Sequence, residues 1–158
     1  MMSPLLSRRG LLLASGATAL GVGAAMALGG RNLFYDVLTE TVEGDRIDAP
    51  TAHRRARGGD LLLIDIRRPE EWASTGAGEG AHKVDMRRPD FADAVLAIAG
   101  GDPARPIAFI CARGVRSARV SNDMIAAGFS RIIDVPEGML GSSAGPGWIA
   151  RGLPLERG

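Results

Sequence analysis

Cys111 is the only cysteine in 158 residues, and it stands between an apolar run, Ile107-Ala108-Phe109-Ile110, and a short glycine-containing loop, Ala112-Arg113-Gly114-Val115-Arg116. A helical pattern follows from Ser117. This order puts a thiol at the carboxyl end of a buried strand, where open α/β sheets bind their ligands. The amides of Ala112 to Ser117 can converge on the sulfur, the helix adds its positive end, and Arg113 and Arg116 add charge. Surroundings of that kind stabilise a thiolate and make it nucleophilic. They suit a persulfide or an oxyanion equally well. The plainer alternative is a small buried hydrophobe at a strand end; strand, glycine loop, arginines and helix in register favour the reactive thiol. One cysteine closes no intramolecular disulfide and builds no Cys-rich zinc or iron–sulfur site.

The elements that must position this thiol follow from short apolar runs alternating with helical stretches, the pattern of βαβ units. Leu61 to Ile66 is a continuous apolar run broken only by Asp65 and bounded by Gly58-Gly59 and Pro69, which predicts a parallel strand buried on both faces. Ile107–Ile110 and Ile132–Val135 predict two more strands. Helices are expected over Pro50–Arg57, from Pro69, over Phe91–Ala99 ending at Gly100-Gly101, and over Ser117–Ala127 ending at Gly128. The fold class is therefore α/β, an open parallel sheet flanked by helices in a single domain. Asp65 and Arg67 lie where the first strand ends, and an ion pair that braces the Cys111 loop is their expected role. His53 and His82 have no spacing that suits a Cys–His dyad or a metal site, so both are expected at the surface. Trp72 and Trp148 are expected in packing, and Gly141 to Gly147 as a mobile loop.

The balance of 19 Lys plus Arg against 18 Asp plus Glu is no nucleic-acid footprint. Residues 10 to 30 carry no charge, follow the pair Arg8-Arg9, and contain the small-residue pattern Ala25-Met26-Ala27. Residues 1–27 thus read as a signal peptide of the twin-arginine type, cut after Ala27, with an uncleaved membrane anchor as the alternative. Residues 28–45 read as a linker or arm with Phe34, Tyr35, Val37 and Leu38 available for docking, and residues 46–157 as the domain. The expected address is the periplasm, or the inner membrane facing it if the signal stays on.

Cys111-Ala112-Arg113-Gly114-Val115-Arg116-Ser117 resembles the active-site loop of the rhodanese domain family, Cys-Arg-x-Gly-x-Arg-Ser. Leu63-Ile64-Asp65-Ile66-Arg67-Arg68-Pro69-Glu70-Glu71-Trp72 is similar to the family's Leu-Ile-Asp-Val-Arg-x-Pro-Glu-Glu-Tyr/Trp segment. Gly128-Phe129, then Asp134-Val135-Pro136-Glu137-Gly138-Met139, and finally Gly152-Leu153-Pro154 resemble its later motifs in order. Two departures stand out: Gly76-Ala77-Gly78-Glu79-Gly80-Ala81 lacks the family's Gly-His, and Ala112 replaces the usual second-position Arg. The resemblance implies a sulfurtransferase that passes sulfur through a Cys111 persulfide from a small donor, thiosulfate or a persulfide, to a thiol or cyanide. Arg116 and Arg113 would then bind an anionic donor, and no metal or organic cofactor would be needed. It leaves room for a periplasmic protein partner and for a non-catalytic sulfur carrier or docking module. A cysteine phosphatase or arsenate reductase is disfavoured, because four residues separate Cys111 from Arg116 where phosphatase loops have five.

Overall fold

The computed structural model describes Gly30 and residues 32–157. The signal peptide or anchor expected over residues 1–27 lies outside the described residues, among which no helix is long and apolar enough to cross a membrane. Residues 1–34 and residues 35–158 form separate units. In the first, the described residues 32–34 are helical, with Leu33 and Phe34 exposed.

In the second unit, residues 35–38 are helical and lead into β1 (Asp45–Arg46), α1 (Ala49–Arg57), β2 (Leu62–Asp65), α2 (Pro69–Thr75), β3 (Ala77–Gly78) and β4 (Ala81–Lys83). Then come α3 (Phe91–Ile98), β5 (Ile107–Ile110), α4 (Val115–Ala126), β6 (Ile132–Asp134) and β7 (Leu155–Glu156). Five strands form one sheet in the order β1-β6-β5-β2-β4, every neighbouring pair parallel, while β3 and β7 pair antiparallel beside it.

The two-residue period of a strand sends alternate side chains to opposite faces. Leu62, Ile64, Ile66, Ile107, Phe109 and Ile132 join Val95 of α3 and Val120 and Met124 of α4. Leu63, Ala108, Ile110 and Ile133 join Ala49 and Ala52 of α1, together with Met139 and Trp148. Both faces are covered, which is why the central strands read as unbroken apolar runs. Helix starts are local: the Asp48 carboxylate accepts the Thr51 amide at 2.9 Å, and Glu71 accepts the Arg68 amide at 3.0 Å.

Two expectations are corrected. The helix after Cys111 begins at Val115, two residues before Ser117, because left-handed Gly114 (φ +88°) turns the chain into it directly. His53 is buried, its Nε2 lying 2.7 Å from Glu79 Oε2 and its ring edge-on to Trp148 at 5.3 Å. A basic helix had suggested solvent there, but the 3.6-residue period puts His53 beside Ala49 and Ala52 on the inward face.

Candidate active site

The chain leaves β2 toward β4 on one side of the sheet and leaves β5 toward β6 on the other. The two connections diverge between the carboxyl ends of β2 and β5, which opens a crevice at that point of the sheet. Cys111, the first residue after β5, sits in this crevice at only 1% exposure. It lines a cavity of about 360 Å³ together with the loop and helix residues Ala112, Arg113, Val115 and Arg116 and with Tyr35, Leu38 and Leu140.

The Gly114 amide donates to Cys111 Sγ at 3.2 Å, and the thiol lies 3.6 Å from Ser117 Oγ, which itself donates to the Gly114 carbonyl at 3.0 Å. Among the described residues Gly114 supplies the one amide that reaches Sγ; those of Val115, Arg116 and Ser117 open α4, where no intrahelical acceptor serves them. The loop is held from behind by residues 136–140. Met139 donates to the Cys111 carbonyl and Leu140 to the Ala112 carbonyl, each at 2.9 Å. This close approach is why two glycines are needed. A Cβ on Gly114 would stand 2.3 Å from the Pro136 carbonyl oxygen, and one on Gly138 (φ +64°) 2.6 Å from the Ala112 carbonyl.

Arg116 does reach the sulfur's neighbourhood, but its guanidinium is engaged. It forms a two-pronged pair with Glu71, NH1 to Oε2 at 2.8 Å and NH2 to Oε1 at 2.7 Å. The Arg116 hydrogen bonds hold Glu71 below the usual carboxylate range against the opposing effect of burial. Reciprocally, Glu71 raises Arg116 above its ordinary value, with Cys111 and Asp65 adding to the same direction. Arg113 donates to the Gly141 carbonyl at 3.1 Å and lies over the Tyr35 ring at 5.4 Å.

Asp65 and Arg67 stand behind the cavity as a buried ion pair, NH2 to Oδ2 at 2.7 Å and Nε to Oδ1 at 3.0 Å. Arg67 also donates to Thr75 Oγ1 at 2.9 Å and to the Gly76 carbonyl at 2.7 Å. The pair thereby fixes the end of α2, the helix that presents Glu71 to Arg116. Their hydrogen bonds reach the end of α2, and none of those seen among the described residues goes to the Cys111 loop, where the sequence reading had expected the brace.

Sequence reasoning missed four features of the site. Glu71 appeared only as part of a motif, since its partner is 45 residues away. Tyr35 and Leu38 had no assigned function; they are brought to the cavity because the Asn122 side chain grips the chain at Thr41 and Glu43 and Arg119 pairs with Glu40 at 3.2 Å. Leu140, next to the expected Gly141–Gly147 loop, was given no role. The fourth is Asp134, which is fully buried at the end of β6 with neither carboxylate oxygen in a well-formed hydrogen bond. Burial pushes its carboxyl up to about 6, although the Ser117 hydroxyl and the Arg46 charge pull the other way.

The solution structure of the 30 kDa polysulfide-sulfur transferase homodimer from Wolinella succinogenes is similar to this chain at a TM-score of 0.55 and 21% identity, covering 87% of this chain and 92% of that one. A thiosulfate sulfurtransferase from Pseudomonas aeruginosa is similar at 0.56 and 20% identity, covering 73% of this chain and 20% of that one. A Rhodopseudomonas palustris protein of unknown function, described as a possible tyrosine phosphatase, is similar at 0.53 and 22% identity, covering 77% of this chain and 90% of that one. At these identities the likeness is one of fold. No curated protein matches the chain. The model of the rhodanese-like domain matches residues 48–144, well over half of the sequence, and the chain belongs to that family.

Proposed function

We propose that the protein is a sulfurtransferase that moves sulfane sulfur from a thiosulfate or persulfide donor, through a Cys111 persulfide, to a thiol or cyanide acceptor. The observation that carries this reading is Cys111 in the lining of a cavity, with the Gly114 amide donating to its Sγ from 3.2 Å. In the first half the Cys111 thiolate attacks the outer sulfur of the donor. A bond forms from Sγ to that sulfur, the donor's own sulfur–sulfur bond breaks, and sulfite or a thiolate departs. The terminal sulfur carries the negative charge, and the first amides of α4 favour it there. In the second half an acceptor thiolate or cyanide attacks that terminal sulfur, and Cys111 leaves as thiolate. This is covalent catalysis that divides one transfer into two easier ones.

Intact-mass spectrometry of the reduced protein after donor treatment tests the reading. Wild type should gain about one sulfur atom, lost again on adding cyanide or thiol, and Cys111→Ser should gain none. No gain on folded, reduced wild type would leave a docking module with this fold.

We also infer export by the twin-arginine route to the periplasm, on the strength of Arg8-Arg9, the charge-free residues 10–30 and Ala25-Met26-Ala27. The full chain expressed in a bacterium should appear in the periplasmic fraction with a new N-terminus near residue 28, and Arg8→Lys with Arg9→Lys should retain it inside. Equal periplasmic yield from the double-lysine chain would refute the route.

A further inference from the structure

The cavity over Cys111 carries information about its donor beyond the general reaction. Three of its walls, Leu38, Leu140 and Val115, are aliphatic, and Tyr35 adds an aromatic surface. Leu38 and Leu140 are 49% and 45% exposed, two of the few large hydrophobic side chains left open to solvent among the described residues, and both stand at the thiol. A volume of about 360 Å³ lies in the range of pockets for small organic molecules and exceeds what an ion of five heavy atoms needs.

The charges of the cavity point the same way. Arg116 is offset by the Glu71 carboxylate, to which both of its terminal nitrogens donate. Arg113 has no carboxylate partner among the described residues, but it is held by the Gly141 carbonyl and the Tyr35 ring. Position 112, beside the thiol, is alanine. About one uncompensated positive charge therefore lines the cavity, a match for the single negative charge of the Cys111 thiolate or persulfide.

We infer that the preferred donor is the persulfide of an uncharged, apolar thiol, selected over the thiosulfate dianion by Tyr35, Leu38 and Leu140 and by the Glu71–Arg116 pair. The inference rests on the sulfurtransferase reading above and narrows its substrate class. With such a donor the Cys111 thiolate attacks the outer sulfur of R–S–SH, the new Sγ–S bond forms, and the R–S bond to that sulfur breaks. The leaving RS⁻ takes the proton of the outer sulfur, so that Cys111–S⁻ and R–S–SH become Cys111–S–S⁻ and RSH. For the protonated donor R–S–SH, the form that is attacked, one negative charge is present throughout. With thiosulfate, the same attack releases sulfite and gathers three negative charges over a site that offers about one positive.

Single-turnover loading of Cys111, read by intact mass, tests this with thiosulfate, glutathione persulfide and benzyl persulfide, each rate divided by that of the same donor with a free small thiol. The normalised benzyl persulfide rate should exceed the other two by about tenfold or more. The surface substitutions Leu38→Ser and Leu140→Ser together should lower the benzyl-to-glutathione ratio by about tenfold, a change of ratio that mere loss of stability would not produce. Glu71→Gln, which frees the Arg116 guanidinium, should raise thiosulfate loading relative to benzyl persulfide. Normalised thiosulfate loading as fast as benzyl persulfide loading, or ratios unmoved by these substitutions, would overturn the inference and leave the sulfurtransferase reading intact. Failure of all three donors on folded, reduced protein would overturn both.

Discussion

Asp134 shows what a single buried side chain contributes. Its carboxyl lies at 0% exposure, and burial moves its pKa from 3.8 to about 6. Between those values the folded chain binds a proton that the unfolded chain has lost, so the contribution of this residue to stability falls as pH rises through the window. A shift of about two units corresponds to roughly 3 kcal/mol lost once the group is ionised in place. Asp134→Asn removes the titration. Urea unfolding at a series of pH values should therefore show the variant gaining about 2.5 kcal/mol on wild type between about pH 4 and pH 8. A difference that stays flat with pH would show that Asp134 does not titrate in this range. The position ends β6 beside Ser117, so its cost is borne next to the site itself.

At the scale of elements, the Cys111 loop is set by the turn that lies against it. Gly138 and Gly152 have nearly the same positive φ, +64° and +66°, yet a Cβ at Gly138 would stand 2.6 Å from the Ala112 carbonyl whereas one at Gly152 would meet nothing within 4 Å. An alanine at either position bears the conformational cost of the left-handed region, about 1–2 kcal/mol. Only at Gly138 must a neighbouring backbone also move, and that backbone is the Cys111 loop. Gly152→Ala should thus cost about 1–2 kcal/mol with sulfur loading unchanged. Gly138→Ala should cost about 3 kcal/mol or more and slow loading of Cys111 at least about tenfold, since small displacements of a reacting group are expensive. Equal costs at the two positions, by urea unfolding, would mean that the close approach is not what demands glycine.

Across the whole molecule, distant segments are fastened through Glu137. Its buried carboxylate accepts the Ala49 amide at 2.6 Å, the Gly147 amide at 2.8 Å and Arg151 Nε at 2.8 Å. One side chain thereby ties the start of α1, the 141–147 loop and the segment before β7 to the turn that supports the Cys111 loop. Glu137→Ala leaves two amides and a guanidinium without their acceptor, and breaking a buried charged partner typically costs about 3–5 kcal/mol. The variant's urea midpoint should fall accordingly. A loss below about 1 kcal/mol would mean that water serves those donors equally well.

Much of the fold was legible in the sequence because the forces concerned act between near neighbours. The unbroken apolar runs at Leu61–Ile66 and Ile107–Ile110 announce strands covered on both faces, and Pro50 and Pro69 mark the first turns of two helices. The same local order put Cys111 at a strand end before a helix, which identifies the thiol and its glycine loop. Two-residue strands such as β1 and β3 were not legible, since pairing with β6 and β7, and not their own propensity, makes them strands. Nor was the identity of the cavity walls. Tyr35, Leu38 and Leu140 converge on Cys111 across as many as 76 positions, a difference of numbers, 111 less 35, that no local pattern encodes. The pairing of Arg116 with Glu71 is of the same kind. The sequence by itself singled out the one thiol, at a strand end, and the glycine loop that follows it. Only the tertiary structure decided which cations at the cavity are paired and which side chains line it, because those depend on contacts made once the sheet has brought separate segments together.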